Sequence, residues 1–564
     1  MSFLLRARRA FAVPALIGPL LLSGLPGCGD PGAPAPARLV LLVTLDTLPA
    51  DRIGCYGSPG ARTPEIDRMA RQGLQVPDAL SPVPLTLPTH STLLTGLDPT
   101  RHGVRENGMF VLSQEQTTVP EMLPPGIEAA AFVGAYPVAR QFGLAQGFGT
   151  YDDTFPPRKG DRVRHQPMRR AEEVFAAAAA WLDAGAAGDR PFLWTHAFDP
   201  HYPYEAPSPW PQVAAAGRGT AYDGEVAYTD RALGRFLRRI GVWRRDREAT
   251  VVLTADHGES LGAHGELTHG LFVYDATQRV PLLAAGPAFP PRLAEAQRPL
   301  LDVAPTLLAA YGVQPPADLP GVPLQETVAP GRAVYLETKD PELMRGWSPL
   351  FAMRTDRWKY VRAPRPELYD LQADPGETRN RFDDHPDVTA ELSALLDREL
   401  AADVEATARP MDDETLEQLR TLGYVATAEP GAPGDPRVDP KDRIESVALM
   451  FRGVEAYLAA DLVSAERYLR RALQRDPESK ECHSYLAGTY YGLGRFGLAA
   501  EHASRALELP PHLNEAPLHT TFAEALIAIG RPAEAAKSLR EALRLKPGDP
   551  RASALLQQLE GRAP

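Results

Sequence analysis

Residues 39–47 read Leu-Val-Leu-Leu-Val-Thr-Leu-Asp-Thr, an unbroken apolar run that ends in an acid. Such a run is typical of a strand buried on both faces of a sheet, where neither face needs polar side chains. Comparable runs lie at 191–197, 250–255 and 280–285. Segments with helical patterning lie between them, for example at 170–182 and 228–240. Strands that alternate with helices predict an α/β fold with a mostly parallel central sheet flanked by helices.

Composition and charge narrow the class of protein. With 564 residues the chain is too long for one core, and 44% hydrophobic with 23% charged residues is typical of globular domains. The net charge is −12, and no long basic block follows the first ten residues. We therefore expect no nucleic-acid partner. Three cysteines cannot form a disulfide framework.

The amino terminus has the pattern of an export signal. Three arginines within the first nine residues precede an apolar stretch at 11–25, which is too short and too interrupted by proline to span a bilayer. We predict a signal peptide at 1–27. The ending Leu-Pro-Gly-Cys resembles a bacterial lipobox and makes Cys28 the lipidated residue, while plain secretion with cleavage nearby is the alternative. Residues 28–37 then form a Pro/Ala-rich tether. Several acyl chains anchor a protein stably, which predicts a lipoprotein of the bacterial cell envelope on its periplasmic or extracellular face.

A different pattern follows a Pro/Gly-rich linker, predicted at 426–441. Similar helical phrases end at Pro477, Pro511 and Pro547, which are 34 and 36 residues apart. A period near 34 resembles tetratricopeptide (TPR) repeats and predicts an all-α domain at 442–564. Its repeats are expected at 444–477, 480–511 and 516–547, with a closing helix near 552–559. An ordinary helical domain is the alternative. A stack of three repeats offers a concave surface for a protein or peptide partner.

Acids and histidines follow three of the predicted strands. Asp46 ends the first run, Asp199 and His201 follow the run at 191–197, and Asp256 and His257 follow the run at 250–255. The carboxyl ends of parallel strands form the ligand-binding edge of a sheet. Carboxylates and imidazoles from separate strands suit a divalent metal ion. Helix capping is the alternative role for each acid taken alone.

The segment 81–96, SPVPLTLPTHSTLLTG, brings a hydroxyl to the start of a predicted helix. Thr86 there is placed beside free backbone N–H groups and the positive end of the helix dipole. This position suits chemistry at a tetrahedral sulfur or phosphorus, in which an oxyanion arrives or leaves. Taken alone, a threonine N-cap in a proline-rich turn is the favoured alternative.

Together these motifs resemble the sulfatase family of the alkaline phosphatase superfamily over about residues 38–400, with a small carboxy-terminal subdomain near 333–400. The landmarks occur in the family's order: LVLLVTLDTLPADRIGCYG, TPEIDRMARQG, TLPTHSTLLTGLDPTRHGV, FDPHYPY, TADHGESLGAHGE, RVPLL, LLDVAPTLLAAYGV, RWKYV and ELYDLQADPGETRN. The catalytic domain is accordingly predicted at 38–425.

The resemblance implies roles for individual residues. Asp46, Asp256 and His257 correspond to metal ligands, and Thr86 to the nucleophile, which also contacts the metal. His201 corresponds to an acid or a contact near the leaving group. His269 lies about where many members have a lysine that binds the anion or the leaving oxygen.

The chain also departs from the family pattern. Thr86 replaces the Cys or Ser that members convert to formylglycine, so we predict an unmodified threonine. His90 stands in place of the signature's arginine and is included among the catalytic candidates. Thr47 stands in place of a second Asp. Fewer hard oxygen ligands and one imidazole favour zinc or manganese over calcium.

These departures leave several functions open. Threonine-dependent branches of the superfamily cleave phosphodiesters or phosphonates, so the first hypothesis is a metal-dependent hydrolase of sulfate or phosphate-type esters that forms a covalent threonyl intermediate. The alternative is a catalytically degenerate scaffold that binds proteins together with the TPR region. A transferase of lipid phospho-headgroups ranks last, since such relatives carry several membrane spans. A second metal site built from Asp199, His201 and His269 stays an open possibility.

Overall fold

The structure is a computed structural model that describes residues 37–156, 168–185, 187–212, 219–244, 248–404, 438–509 and 515–561. The predicted signal peptide, the predicted lipidation site Cys28 and most of the predicted linker at 426–441 lie outside these ranges. Within these ranges, none of the helices has the length and apolar character needed to cross a bilayer.

A large mixed sheet forms the centre of the first region. Its strands in chain order are β1 (Leu39–Leu45), β2 (Leu74–Leu80), β3 (Ala129–Val133), β4 (Thr150–Asp152), β5 (Phe192–Ala197), β6 (Ala249–Ala255), β7 (Arg279–Ala285), β8 (Arg292–Leu293) and β9 (Arg298–Pro299). Their spatial order is β4-β3-β5-β1-β6-β7-β2-β8, and β9 pairs with β2. The pairs among β4, β3, β5, β1 and β6 are parallel. The predicted mostly parallel sheet is confirmed.

One predicted strand runs against its neighbours. The apolar run at 280–285 lies in β7, which is antiparallel to both β6 and β2. Its side chains are nearly all buried, as they are in the parallel strand β6. Burial on both faces therefore produces the same apolar pattern in either direction, and the direction of β7 follows from the connections instead.

Helices cover the sheet. They are α1 (Pro64–Gln72), α2 (Thr86–Thr95), α3 (Pro99–His102), α4 (Val119–Met122), α5 (Ala171–Asp183), α6 (Ala221–Arg239), α7 (Asp275–Gln278) and α8 (Val303–Ala310). The helices expected at 170–182 and 228–240 are α5 and the second half of α6. The rings of Phe175 on α5 and Phe236 on α6 stack 5.0 Å apart, which joins these two helices.

A smaller antiparallel sheet follows, in the region near 333–400 where a small carboxy-terminal subdomain is predicted. It consists of β10 (Val334–Thr338), β11 (Leu350–Arg354), β12 (Trp358–Arg362) and β13 (Glu367–Asp370), paired in chain order. The short helix α9 (Asp340–Arg345) connects β10 to β11. The helix α10 (Pro386–Leu400) packs on this sheet, where Leu392 and Leu396 join a small separate core with Tyr335 and Met353.

The carboxy-terminal region consists of antiparallel helix pairs. They are α11 (Ile444–Leu458) with α12 (Leu462–Arg475), α13 (Lys480–Gly492) with α14 (Phe496–Glu508), and α15 (Ala516–Ala528) with α16 (Pro532–Leu545), followed by α17 (Pro550–Glu560). Small residues let the helices approach closely: a Cβ on Gly453 of α11 would lie only 2.6 Å from Leu469 of α12. Tyr202, in the loop after β5, donates a 2.6 Å hydrogen bond to Glu455 of α11 and so joins the repeats to the first region.

Candidate functional site

Two neighbouring strand ends bring the predicted metal ligands together. Asp46 follows β1, and Asp256 and His257 follow the adjacent parallel strand β6. One ligand atom from each of the three residues lies within 4.8 Å of the other two, and all three side chains are fully buried. The backbone N–H of Asp256 donates to the carbonyl of Leu45, so that the pairing of β1 and β6 continues to the site itself.

The ligand atoms of this cluster lack partners. Both Asp46 oxygens, Asp256 Oδ2 and His257 Nε2 are buried and accept no hydrogen bond from the described residues. His257 Nδ1 lies 3.0 Å from the Gly258 carbonyl, so Nδ1 carries the proton and Nε2 presents a lone pair toward the acids. Buried charges are normally paired or coordinate a metal. These donor atoms fit a divalent cation.

The electrostatics of Asp46 point the same way. Burial, and next the nearby charge of Asp256, raise the pKa of Asp46 well above its usual range. Two adjacent carboxylates cannot both be charged in a buried site without a compensating cation. Bound metal would supply that compensation and keep both acids ionised.

Thr86 stands at the first turn of α2. Its Oγ1 is buried and without a hydrogen-bond partner in the ranges that the structure describes. The next backbone N–H, of Leu87, donates to Asn107 Oδ1 over 2.8 Å. The other end of that side chain, Asn107 Nδ2, is buried and also lacks a partner among the residues that the structure describes. Asn107 was not predicted from the sequence, because an Asn-Gly pair is typical of an ordinary turn.

A buried threonine inside β1 connects three aromatic side chains behind the site. Thr44 Oγ1 lies 3.0 Å from Trp194 Nε1, from His196 Nδ1 and from His90 Nε2. His196 belongs to β5, and its Nε2 lies 3.3 Å from Asp46 Oδ2. From the sequence, the run at 39–47 with Thr44 and the run at 191–197 with Trp194 and His196 were predicted only as strand core. The available signal was the presence of polar residues such as Thr44 and His196 inside otherwise apolar strands.

His90 lies behind Thr86, with both ring nitrogens engaged by protein. Its Nδ1 lies 2.8 Å from the Thr86 carbonyl, and its Nε2 faces Thr44. Burial, followed by the neighbouring His196, lowers the pKa of His90 to about 3. A neutral imidazole therefore occupies the position where the family resemblance implies an arginine, and it brings no positive charge.

His201 and His269 lie on the side of the cluster beyond His257. Their rings are 5.5 Å apart, and the rings of His269 and His257 are 4.4 Å apart. His201 Nδ1 donates to the Tyr202 carbonyl over 2.7 Å, which leaves its buried Nε2 as a lone-pair donor without a partner among the described residues. Burial lowers the pKa of His201 to about 3 and that of His269 to about 4.

Two further residues that follow strands are bound by other protein groups and do not join the cluster of Asp46, Asp256 and His257. Asp199 accepts hydrogen bonds from Arg170 Nη1 at 2.6 Å and from the Ala171 N–H at 2.8 Å. Thr47 donates its hydroxyl to the Pro200 carbonyl. The second metal set suggested by the sequence is therefore not assembled, because Asp199 caps α5 while His201 and His269 remain near the first cluster.

Comparisons with known proteins agree with this architecture. The profile of the family described as Sulfatase matches residues 38–313. That of N-sulphoglucosamine sulphohydrolase, C-terminal, matches 262–405, and a tetratricopeptide repeat profile matches 494–559.

Individual relatives have low sequence identity to this chain, but the alignments cover most of each relative's length. The chain is 24% identical over 480 residues to the Delta 4,5-hexuronate-2-O-sulfatase of Bacteroides thetaiotaomicron, covering 72% of this chain and 98% of that protein. It is 27% identical over 441 residues to human arylsulfatase A, covering 63% and 86%. Among solved structures, the phosphonate monoester hydrolase of Agrobacterium radiobacter superposes with a TM-score of 0.53 at 20% identity, covering 70% of this chain and 98% of that one.

The strand-end cluster, the order of the strands and these matches lead to one assignment. The chain carries a domain of the sulfatase family of the alkaline phosphatase superfamily, whose members are metal-dependent ester hydrolases, and a tetratricopeptide repeat match follows that domain.

Proposed function

We propose that this protein hydrolyses sulfate esters, or related phosphodiesters and phosphonates, with Thr86 as an unmodified nucleophile and a divalent cation on Asp46, Asp256 and His257. The observation that carries the proposal is a set of buried polar atoms that have no hydrogen-bond partner among the described residues: both Asp46 oxygens, Asp256 Oδ2, His257 Nε2 and, at the start of α2, Thr86 Oγ1. A purely structural role would not leave the clustered ligand atoms of Asp46, Asp256 and His257 unsatisfied, because each costs desolvation free energy.

Thr86 is the group that reacts. Asp46, Asp256 and His257 would hold a divalent cation, which would lower the pKa of a nearby hydroxyl and offset the negative charge that develops at the reacting centre. Thr86 Oγ loses its proton and attacks sulfur or phosphorus in line, and the bond to the ester oxygen breaks. Water then attacks the threonyl ester. This step releases sulfate, a phosphate monoester or a phosphonate, and it restores the Thr86 hydroxyl.

The histidines divide into two roles. The rings of His201 and His269 lie next to His257, and we assign them to the leaving group. Since His201 Nε2 carries a lone pair, it takes up the proton that the Thr86 hydroxyl releases and passes it to the departing ester oxygen. His269 contacts the anion or the leaving oxygen. His90 is a positioning residue, because it acts on the Thr86 carbonyl from behind.

The choice of substrate class rests on relatives and on charge. The relatives include sulfatases, and one solved structure with the same fold is a phosphonate monoester hydrolase. The positions of His90 and His269 hold neutral imidazoles, so the site has less positive charge than the family pattern. Monoanionic sulfate esters, phosphodiesters and phosphonate monoesters match such a site better than dianionic phosphate monoesters.

We also propose that the protein is exported and held by a lipid anchor at Cys28, with the repeats available to a protein or peptide partner. Support comes from the amino-terminal pattern and the tetratricopeptide repeat match. Labelling with a radioactive fatty acid, compared between wild type and Cys28→Ala, tests the anchor.

The central test compares Thr86→Ala with Thr95→Ala, a buried threonine at the other end of the same helix. Zinc-, manganese- and calcium-loaded proteins are assayed on 4-nitrophenyl sulfate, bis(4-nitrophenyl) phosphate and phenyl phosphonate esters. We expect Thr86→Ala to lose at least about a thousandfold in kcat/KM and Thr95→Ala to stay near wild type. Equal rates for Thr86→Ala and wild type would overturn the nucleophile. A wild-type protein that holds no metal and hydrolyses none of these esters would support the scaffold alternative.

A further inference from the structure

We infer that His196, inside strand β5, is an additional ligand of the cation, presented by a chain of hydrogen bonds that fixes its tautomer. The inference rests on the proposed metal site and concerns a residue outside the cluster of Asp46, Asp256 and His257. It follows from which atoms along this chain must donate and which must accept.

The series of hydrogen bonds begins at the Thr86 carbonyl. A carbonyl oxygen only accepts, so His90 Nδ1, at 2.8 Å, must donate to it. The neutral His90 ring then has a bare Nε2, which must accept a hydrogen bond from Thr44 Oγ1 at 3.0 Å. The single hydroxyl proton of Thr44 is thereby used.

The proton on His196 follows from this. Its Nδ1 lies 3.0 Å from Thr44 Oγ1, which has no second proton to offer, so His196 Nδ1 must be the donor. Trp194 Nε1 can only donate, and it occupies the remaining lone pair of Thr44. All three bonding positions of the hydroxyl are then filled. A neutral His196 therefore has its lone pair at Nε2.

That lone pair faces the metal site. His196 Nε2 is buried without a partner in the described part of the chain, and it lies 3.3 Å from Asp46 Oδ2, which is also unpartnered. Two acceptors facing each other in a buried site repel unless a cation lies between them. A separation near 3.3 Å is also what two neighbouring ligands of one zinc ion show when each lies about 2.0–2.2 Å from the metal.

Asp46 thus lies between two imidazoles. Its Oδ1 is 3.8 Å from His257 Nε2, and its Oδ2 is 3.3 Å from His196 Nε2. A ligand set with two imidazoles and two carboxylates favours zinc or another transition metal over calcium, which prefers oxygen ligands. Thr44 acts as a positioning residue, because it holds the ring of His196 and selects its tautomer.

The test counts imidazoles on zinc by X-ray absorption spectroscopy and measures zinc affinity by chelator competition, both without reference to activity. We expect two imidazoles in the wild type and one in His196→Asn, whose amide keeps a donor near the Nδ1 position. Zinc affinity should fall at least about tenfold in His196→Asn and about 10–100-fold in Thr44→Val, which lacks the hydroxyl. His102→Asn is the matched control: this buried histidine uses both ring nitrogens within the protein, toward Thr92 and the Val104 N–H.

One imidazole on zinc in the wild type, or an unchanged count and affinity in His196→Asn, would overturn the role of His196 while leaving the metal-dependent hydrolase intact. A wild type that binds no zinc, manganese or calcium would instead refute the proposed function, and this inference with it. If His196→Asn does not fold, the zinc affinity of Thr44→Val still decides the matter, because Thr44 contacts His196 and not His201.

Discussion

Asp46 and Asp199 follow two neighbouring strands of one sheet, yet they have opposite surroundings. Both are almost completely buried, at 0% and 1% exposure. Neither Asp46 oxygen accepts a hydrogen bond from the described residues, whereas Asp199 accepts two, from the Arg170 guanidinium and from the Ala171 N–H. Strand-end position is therefore shared by an acid without a hydrogen-bond partner among the described residues and an acid that is paired with an arginine.

The difference arises from where the chain goes after each strand. Asp199 lies beside the start of α5, where Arg170 provides a cation and free N–H groups provide donors. Asp46 lies at the end of β1 between β5 and β6, where another acid, Asp256, adds its negative charge. Asp199 is therefore a structural acid, because protein groups bind its carboxylate. Asp46 is a candidate for ligand binding, because its carboxylate has no hydrogen-bond partner among the described residues.

The largest expected effect comes from breaking this contrast at Asp46. Asp46→Asn removes two anionic ligand atoms, and we expect zinc affinity and kcat/KM to fall by more than about a hundredfold, the upper end for residues that only support a ligand. Isothermal titration with zinc and ester-hydrolysis assays measure both. Asp51→Asn, at an exposed acid in the loop after the same strand, is the control and should change neither.

Stability separates this explanation from simple damage to the fold. Because the Asp46 carboxylate has no hydrogen bonds to lose, metal-free Asp46→Asn should be at least as stable as the metal-free wild type. Zinc at about 100 times its Kd should stabilise the wild type by about 2.7 kcal/mol and the variant hardly at all. A large loss of stability in the metal-free variant would show that the Asp46 carboxylate stabilises the fold, as Asp199 does, and would contradict the contrast between the two acids.

Asp199→Asn should give the converse result. It leaves Arg170 without its closest carboxylate, and breaking such a buried pair costs about 3 kcal/mol. Urea unfolding measures this cost. Zinc affinity should remain within about twofold of wild type, because Asp199 does not face the cluster. Loss of zinc binding with unchanged stability would place Asp199 in the metal site after all.

The sequence predicts much of this fold because burial and repetition leave periodic patterns. The apolar run at 39–45 matches β1, and the phrases spaced by 34 and 36 residues match the helix pairs that begin at Ile444, Lys480 and Ala516. The direction of β7 was not predictable, since two-sided burial gives the same run in either direction.

The site was predictable in part. Asp46, Asp256, His257 and Thr86 carry the resemblance to the family and lie at neighbouring strand and helix ends in the structure. The sequence could not separate Asp46 from Asp199, because hydrogen-bond partnering depends on a residue 29 positions away from Asp199. Nor could it assign His196 and Thr44, whose meaning depends on the register between β1 and β5.

A pH-dependent effect on stability concerns Glu225, the second acid around Arg170. Its Oε1 lies 3.2 Å from Arg170 Nη1, so Glu225 and Asp199 share one guanidinium. Burial, and next the charge of Asp199, raise the pKa of Glu225. In the folded state Glu225 thus keeps a proton that it releases in the unfolded chain once the pH exceeds the usual glutamate pKa of 4.5. The contribution of Glu225 to stability is therefore complete below that pH and is lost as the pH rises through the raised pKa.

Glu225→Gln removes this titration. With chelator present throughout, urea unfolding between pH 4.5 and 8 should show the wild type losing more stability than the variant, by up to about 1.4 kcal/mol per pH unit, the value for one proton. Asp199→Asn should flatten the wild-type curve in the same direction, because neutralising one acid leaves the guanidinium to the other. Parallel curves of unfolding free energy against pH for wild type and Glu225→Gln would mean that Arg170 keeps both Asp199 and Glu225 ionised. The acids around Arg170 would then be fully compensated by a protein cation, in contrast to Asp46 and Asp256.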